Sequence, residues 1–172
     1  MFRVAAFFLV LLLIGVIALY VLEFRWFDRT IDMRSLALYA LAIGAAAGTT
    51  LGWRLSRQGR NSVEKVQLYI FCIVTCTLFA PFLASLSNRL LSPYPARPRP
   101  VEFFDEQAYL SDRFGLTKGE QIEPSGYYTF FYYQGRLRRV KSRKPLLPGT
   151  EKGEMAELYM KRGLWGFEVV LH

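Results

Sequence analysis

Hydrophobic positions along this chain follow two regimes. Towards the N-terminus they are continuous: Val4–Leu22 and Ser35–Trp53 are uncharged runs of 19 residues each, and Val66–Asn88 is one of 23. Towards the C-terminus they alternate with polar residues instead. A helix rises 1.5 Å per residue, so about 20 apolar residues cross a hydrocarbon core about 30 Å thick. Three such runs in succession would leave a globule without polar surface. The pattern therefore predicts a helical membrane domain over residues 1–91, with three transmembrane helices over about residues 4–22, 35–53 and 66–88. The first run follows Arg3 as a signal peptide would, but it is too long for one. Gly15-Val-Ile-Ala18-Leu-Tyr20 also leads into bulky Val21, Leu22 and Phe24 rather than a small-x-small cleavage pattern, so it reads as a retained anchor.

Two spans carry internal detail. In the second, Ala40, Gly44, Gly48 and Gly52 recur every four residues, which puts four small residues on one helix face. Another backbone can approach closely there, so the face predicts helix packing, against a neighbouring span or through self-association. In the third, Pro81 has no N–H to offer the carbonyl of Thr77, which predicts a kink near that turn. Cys72 and Cys76 share a face of the same span. With no His or carboxylate beside them they read as small apolar residues rather than metal ligands.

Beyond Leu91 the texture changes. Prolines at 93, 95, 98 and 100 predict a semi-rigid polyproline spacer over residues 92–101. Residues 103–114 mix Phe103, Phe104, Tyr109, Leu110 and Phe114 with acids, a spacing that suits a short amphipathic helix ending at Gly115. Tyr127–Tyr133 is aromatic and β-prone, and Gln134-Gly135 turns it into Arg136–Lys141. Ala156, Leu158 and Met160 then alternate with polar residues, as do Trp165, Phe167, Val169 and Leu171 after a turn at Arg162-Gly163. The expected extramembrane domain, residues 102–172, is a small α+β module, mainly antiparallel β.

Charge adds orientation. The chain has 22 Lys and Arg against 14 Asp and Glu, a net +8. Residues 54–65 carry Arg54, Arg57, Arg60 and Lys65 against the single acid Glu64. The segment between the first two runs balances Arg25, Arg29 and Arg34 with Glu23, Asp28 and Asp32. Lys and Arg collect in cytoplasmic loops, which puts residues 54–65 and the N-terminus inside and the C-terminal domain outside; Arg89, Arg97 and Arg99 count against this orientation. Tyr20, Trp26, Trp53 and Tyr94 at the ends of the runs suit headgroup-level belts.

Candidate chemistry is sparse. The uncharged runs hold no ionisable residue of the kind that proton relays and ion paths use. His172 is the terminal residue, a poor place for a catalytic base. Glu102, Asp105, Glu106 and Asp112 read as solvated carboxylates. Glycine-rich phosphate loops and nucleophile-elbow motifs do not occur. No catalytic residue, cofactor or metal is expected. Arg136, Arg138, Arg139, Lys141, Arg143 and Lys144 follow the aromatic strand and form the candidate contact for a protein partner or lipid headgroups, with nucleic acid disfavoured beside a membrane. The functional expectation is a non-enzymatic accessory or scaffolding subunit of a cytoplasmic-membrane complex, with membrane lipids and other subunits as partners. The alternative is a membrane-anchored sensor or effector whose β domain binds a ligand and whose spans oligomerise to perturb the membrane.

Overall fold

The computed structural model describes residues 2–110 and 124–171, with the backbone alone for residues 2–13. Three helices come first, α1 (Phe2–Phe27), α2 (Met33–Ser56) and α3 (Ser62–Leu90). Five strands follow, β1 (Arg97–Tyr109), β2 (Gly126–Tyr133), β3 (Arg136–Ser142), β4 (Met155–Arg162) and β5 (Glu168–Val170). Both α2 and α3 are long and apolar enough to cross a membrane. The chain divides into a helical unit of residues 1–24, 32–92 and 163–167 and a β unit of residues 25–31, 93–162 and 168–172.

In the helical unit, α2 and α3 form a hairpin. Ile31 is followed by Asp32 at φ 58°, a left-handed turn that starts α2, and the Leu36 N–H donates to the Asp32 carbonyl at 3.2 Å. The N-terminus of α3 is capped by Asn61, whose side chain accepts from the Glu64 N–H at 2.8 Å, while Glu64 reaches back to the Arg60 N–H at 2.8 Å. This cap satisfies donors that the first helical turn leaves without partners. Helix α3 continues through Pro81 to Leu90 as one element. Helix α1 joins it through Tyr20, whose ring stacks on Phe82 and meets Phe79 edge-on.

The β unit is an antiparallel sheet in the order β3-β2-β1-β4-β5. Strand β1 is central and changes partner along its length: Arg97–Glu102 pair with β4, and Glu102–Tyr109 pair with β2. That offset curls the sheet. Residues 28–31 close the curl, because they bond to both edge strands. The Ile31 N–H donates to Glu168 at 2.8 Å, Val170 donates to Arg29 at 3.0 Å, and Lys141 at the end of β3 donates to Asp28 at 3.2 Å. Edge strands with unpaired N–H and C=O groups invite aggregation, and this short segment covers both. Ile31, Val101, Phe103, Phe131, Tyr133, Val140, Leu147, Leu158, Met160 and Val170 make up the core inside the curl.

Three expectations are corrected. First, the proline spacer does not extend to residue 101, since β1 begins at Arg97. Over residues 97–101 β1 pairs only with β4, so Pro98 and Pro100, on alternate positions, can turn their missing donors to the unpaired side. Second, residues 103–109 are strand rather than helix. A bulge between Phe103 and Asp105 shifts the alternation by one, which makes the apolar spacing imitate a helical repeat; residues 111–114 lie outside the described residues. Third, the final strand starts at Glu168 rather than Trp165. Asn88 draws residues 164–167 out of the strand pattern, as described below. The other strands fall where alternation puts them, and Gln134 at φ 52° with Gly135 at φ 71° makes the two-residue turn between β2 and β3.

Candidate functional site

Candidate surfaces arise in each unit. On α2 the predicted small face is buried: Ala40, Gly44, Gly48 and Gly52 all lie against neighbouring atoms, and the three glycines face α3 of the same chain. A Cβ at Gly48 would come within 2.7 Å of Ile73 Cα and 2.9 Å of the Cys72 carbonyl, and one at Gly44 within 2.8 Å of the Cys76 carbonyl. Backbone therefore meets backbone along the seam, with Cys72 and Cys76 filling the gaps. Pro81 is buried, and the Thr77 hydroxyl one turn earlier is buried without a hydrogen-bond partner among the described residues. Beside the seam an apolar groove of about 740 Å³ is lined by Leu36, Ile43, Thr75, Phe79, Leu83 and Trp165, among others.

Two buried polar clusters in the helical unit escape the sequence reading. Glu23, 3% exposed, lies one residue past the first uncharged run. It accepts from the Ser85 hydroxyl at 2.9 Å and from the Arg89 guanidinium at 2.9 Å, so α1 is pinned to α3 by a charge pair in partly dry surroundings. Asn88 is wholly buried. Its amide donates to the Phe167 carbonyl at 3.0 Å, its oxygen accepts from Trp165 N–H at 3.0 Å, and its own carbonyl accepts from Leu164 N–H at 3.0 Å. Trp165 adds an indole bond to Ser87 at 2.9 Å. Only glycine fits at 163, where a Cβ would overlap the Asn88 amide. Nothing in spacing marks Asn88, since a single polar residue at the end of an apolar run has many uses.

In the β unit the six predicted cations do not share a face. Arg139 and Lys141 point outward from β3; Arg138, half-buried, lies on the alternate side with buried Val140; Arg136 sits at the turn, and Arg143 and Lys144 follow the strand, exposed. Cross-strand register aligns Gln107, Tyr128 and Lys141 in one row and Asp105, Phe130 and Arg139 in the next. Tyr109 packs on Tyr128 in a tilted arrangement, 4.8 Å between centroids. The Arg139 guanidinium lies 5.0 Å from the Tyr128 ring, and Lys141 Nζ lies 4.3 Å from the Tyr109 ring. Farther along, Phe104 meets Tyr132 edge-on, with Lys152 Nζ 4.1 Å from the Phe104 ring. The outer face of β1–β2–β3 is thus a row of rings interleaved with cations, each such contact contributing about 0.5–1 kcal/mol where exposed.

Charges around this module have identifiable partners. Burial pulls the Lys141 ammonium down, but its hydrogen bond to Tyr109 and the nearby Tyr109, Tyr128 and Asp28 outweigh that, so its pKa is raised. Burial raises the pKa of Tyr133, and its hydrogen bond to Glu168 and that carboxylate's charge raise it further against the opposing Arg99. Arg29 is lowered by burial and then by the like charges of Arg143 and Arg25. Of the four carboxylates read as solvated, Glu106 instead turns inward and accepts from the buried Thr129 hydroxyl at 2.6 Å and the Leu146 N–H at 2.9 Å. Asp105 accepts from the Gln107 amide at 2.7 Å, Glu102 is exposed, and Asp112 and His172 lie outside the described residues. Among the described residues no group of three His, Cys, Asp or Glu side chains could hold a metal ion.

No known protein family, curated protein or solved structure matches this chain.

Proposed function

We propose that this chain is a three-span protein of the cytoplasmic membrane whose curled sheet acts as a non-enzymatic docking module, making it an accessory or scaffolding subunit of a membrane complex. The observation that carries this reading is the closing segment. Residues 28–31, which precede α2, hydrogen-bond both edges of a sheet whose strands all follow α3. If α2 and α3 both cross the bilayer, the chain returns to the side it left. The segment before α2 and the strands after α3 are then on one face of the membrane, as their shared sheet requires, and residues 57–61 are on the other. A span through α1, 26 residues long, is consistent with its uncharged run. The cations of residues 54–65 favour the cytoplasm for that loop, which puts the β unit outside.

The outer face of β1–β2–β3 supports docking. Aromatic rings and arginines are the groups most enriched where proteins bind one another. The test is affinity purification of the full chain in mild detergent, beside a Tyr128→Ala, Arg139→Gln variant. A stoichiometric membrane protein recovered with the parent chain and lost from the variant supports docking. Recovery of a homo-oligomer alone contradicts it and favours a ligand-sensing or effector protein.

A further inference from the structure

We propose that the outer face of the sheet receives an acidic amphipathic polypeptide segment of its partner, with carboxylates at Arg139 and Lys141 and apolar side chains on Tyr132, Leu137 and Met155; this rests on the docking reading above. Two cations converge there on one ring. The Arg139 guanidinium lies 5.0 Å and Lys141 Nζ 5.7 Å from the centroid of Tyr128, and Lys141 Nζ also lies 4.3 Å from that of Tyr109. Register explains the convergence, because Lys141 is opposite Tyr128 and Arg139 is opposite Phe130, all four turned away from the core. The ring faces attract both cations and hold them ahead of any partner, which lowers the ordering cost of binding.

Farther along the strands the same face turns apolar. Met155, Glu102, Tyr132 and Leu137 form one row across β4, β1, β2 and β3, and all four are exposed. The rows of Tyr128 and Tyr132 are four strand residues apart, a span of about 13 Å. A carboxylate has about four lone-pair sites, enough to accept from a guanidinium fork and an ammonium together. Large apolar side chains left in solvent gain when apolar ones cover them. A partner that satisfies both ends therefore carries acids and apolar side chains about 13 Å apart, which four extended residues provide. A polyanion such as nucleic acid or an acidic glycan fits worse. It would carry charge along its whole length and set it against Glu102 in the apolar row and Asp105 in the row of Arg139.

The test uses the full chain in detergent and the fluorescence anisotropy of three labelled probes: a peptide of a glutamate run joined to leucines, the same peptide with glutamine for glutamate, and oligothymidylate. The parent chain should bind the glutamate peptide, and the glutamine peptide at least about fivefold more weakly. Arg139→Gln and Lys141→Gln should each weaken binding of the glutamate peptide about fivefold, the upper end for an exposed ion pair, and Leu137→Ser about tenfold. Arg136→Gln, opposite the core residue Tyr133, should match the parent. Arg139 and Leu137 are exposed, so neither substitution empties the core. The acidic segment is overturned if the two peptides bind equally, if oligothymidylate binds as tightly as the glutamate peptide, if the parent does not bind that peptide, or if any of the three weakened variants matches the parent. A homo-oligomer in the co-purification with the peptide selectivity intact contradicts the accessory-subunit reading alone; a membrane subunit recovered without that selectivity contradicts the acidic segment alone.

Discussion

The α2–α3 seam and the core of the β unit solve one packing problem with opposite residues. In the seam, side chains are removed: Gly44, Gly48 and Gly52 let the α3 backbone come within about a Cβ's reach. In the β core, side chains supply the contact: Phe131 and Val101 are buried at 0% and 1% exposure, and Tyr133 and Phe103 pack beside them. In water, burying a large ring removes apolar area from the solvent and is favourable by itself. If α2 and α3 cross a bilayer as proposed, that drive is missing between them and close backbone contact takes its place. Opposite changes should therefore do the most damage in the two units: adding a methyl harms the seam, and removing atoms harms the β core.

The largest expected effect is Phe131→Ala, which empties the centre of the β core and should cost about 3–5 kcal/mol of its stability. Thermal or denaturant unfolding of the detergent-solubilised chain, followed by tryptophan fluorescence, would measure it; a cost below that of surface substitutions would show the core misplaced. Next comes Gly48→Ala, where the added methyl meets Ile73 and Cys72 backbone atoms; overpacking of this kind costs about 1–3 kcal/mol. Gly15→Ala is its control, because a Cβ there meets nothing within 4 Å. In a helix that change favours the native state by up to about 1 kcal/mol. Equal losses at Gly48 and Gly15 would erase the seam. Smaller again, Gly135→Ala puts a Cβ at φ 71° and should cost about 1 kcal/mol through the turn alone.

The smallest effect concerns alkaline pH. The folded pKa of Tyr133 is raised above its ordinary 10.0, so above pH 10 the unfolded phenol gives up its proton first. Stability from this group is present below pH 10 and is lost as pH rises through the folded value. Lys141, also raised, contributes with the same sign from pH 10.5 upward. Tyr133→Phe should flatten part of the fall in stability above pH 10, and an unchanged slope would separate Tyr133 from Glu168.

Hydrophobic blocks showed where the helices lie, and alternation showed β2, β3 and β4, because both signals come from burial with a fixed period. What was illegible depended on single contacts at long range. The bulge after Phe103 broke the period of β1, and prolines hid its first residues. Asp28–Ile31 looks like a loop in the sequence because four residues carry no periodicity; only the distant partners Lys141, Glu168 and Val170 make them the segment that closes the sheet. Glu23 and Asn88 are likewise defined by what they meet, at Arg89 and at Trp165, and neither partner is near in sequence. The six cations of residues 136–144 form one run in the sequence, but alternation along β3 divides Arg138 from Arg139 and Lys141, and Arg143 and Lys144 lie beyond the strand.

The direct measurement is the sidedness of three positions in a chain with Cys72 and Cys76 replaced. Single cysteines at Asp28, Ser62 and Glu151, all exposed, are treated in intact cells with a membrane-impermeant maleimide. The expected result is that Asp28 and Glu151 label together without lysis, while Ser62 labels only after it. Labelling of Asp28 together with Ser62 but apart from Glu151, or of all three alike, would contradict a membrane-crossing α2–α3 hairpin whose two ends share one sheet.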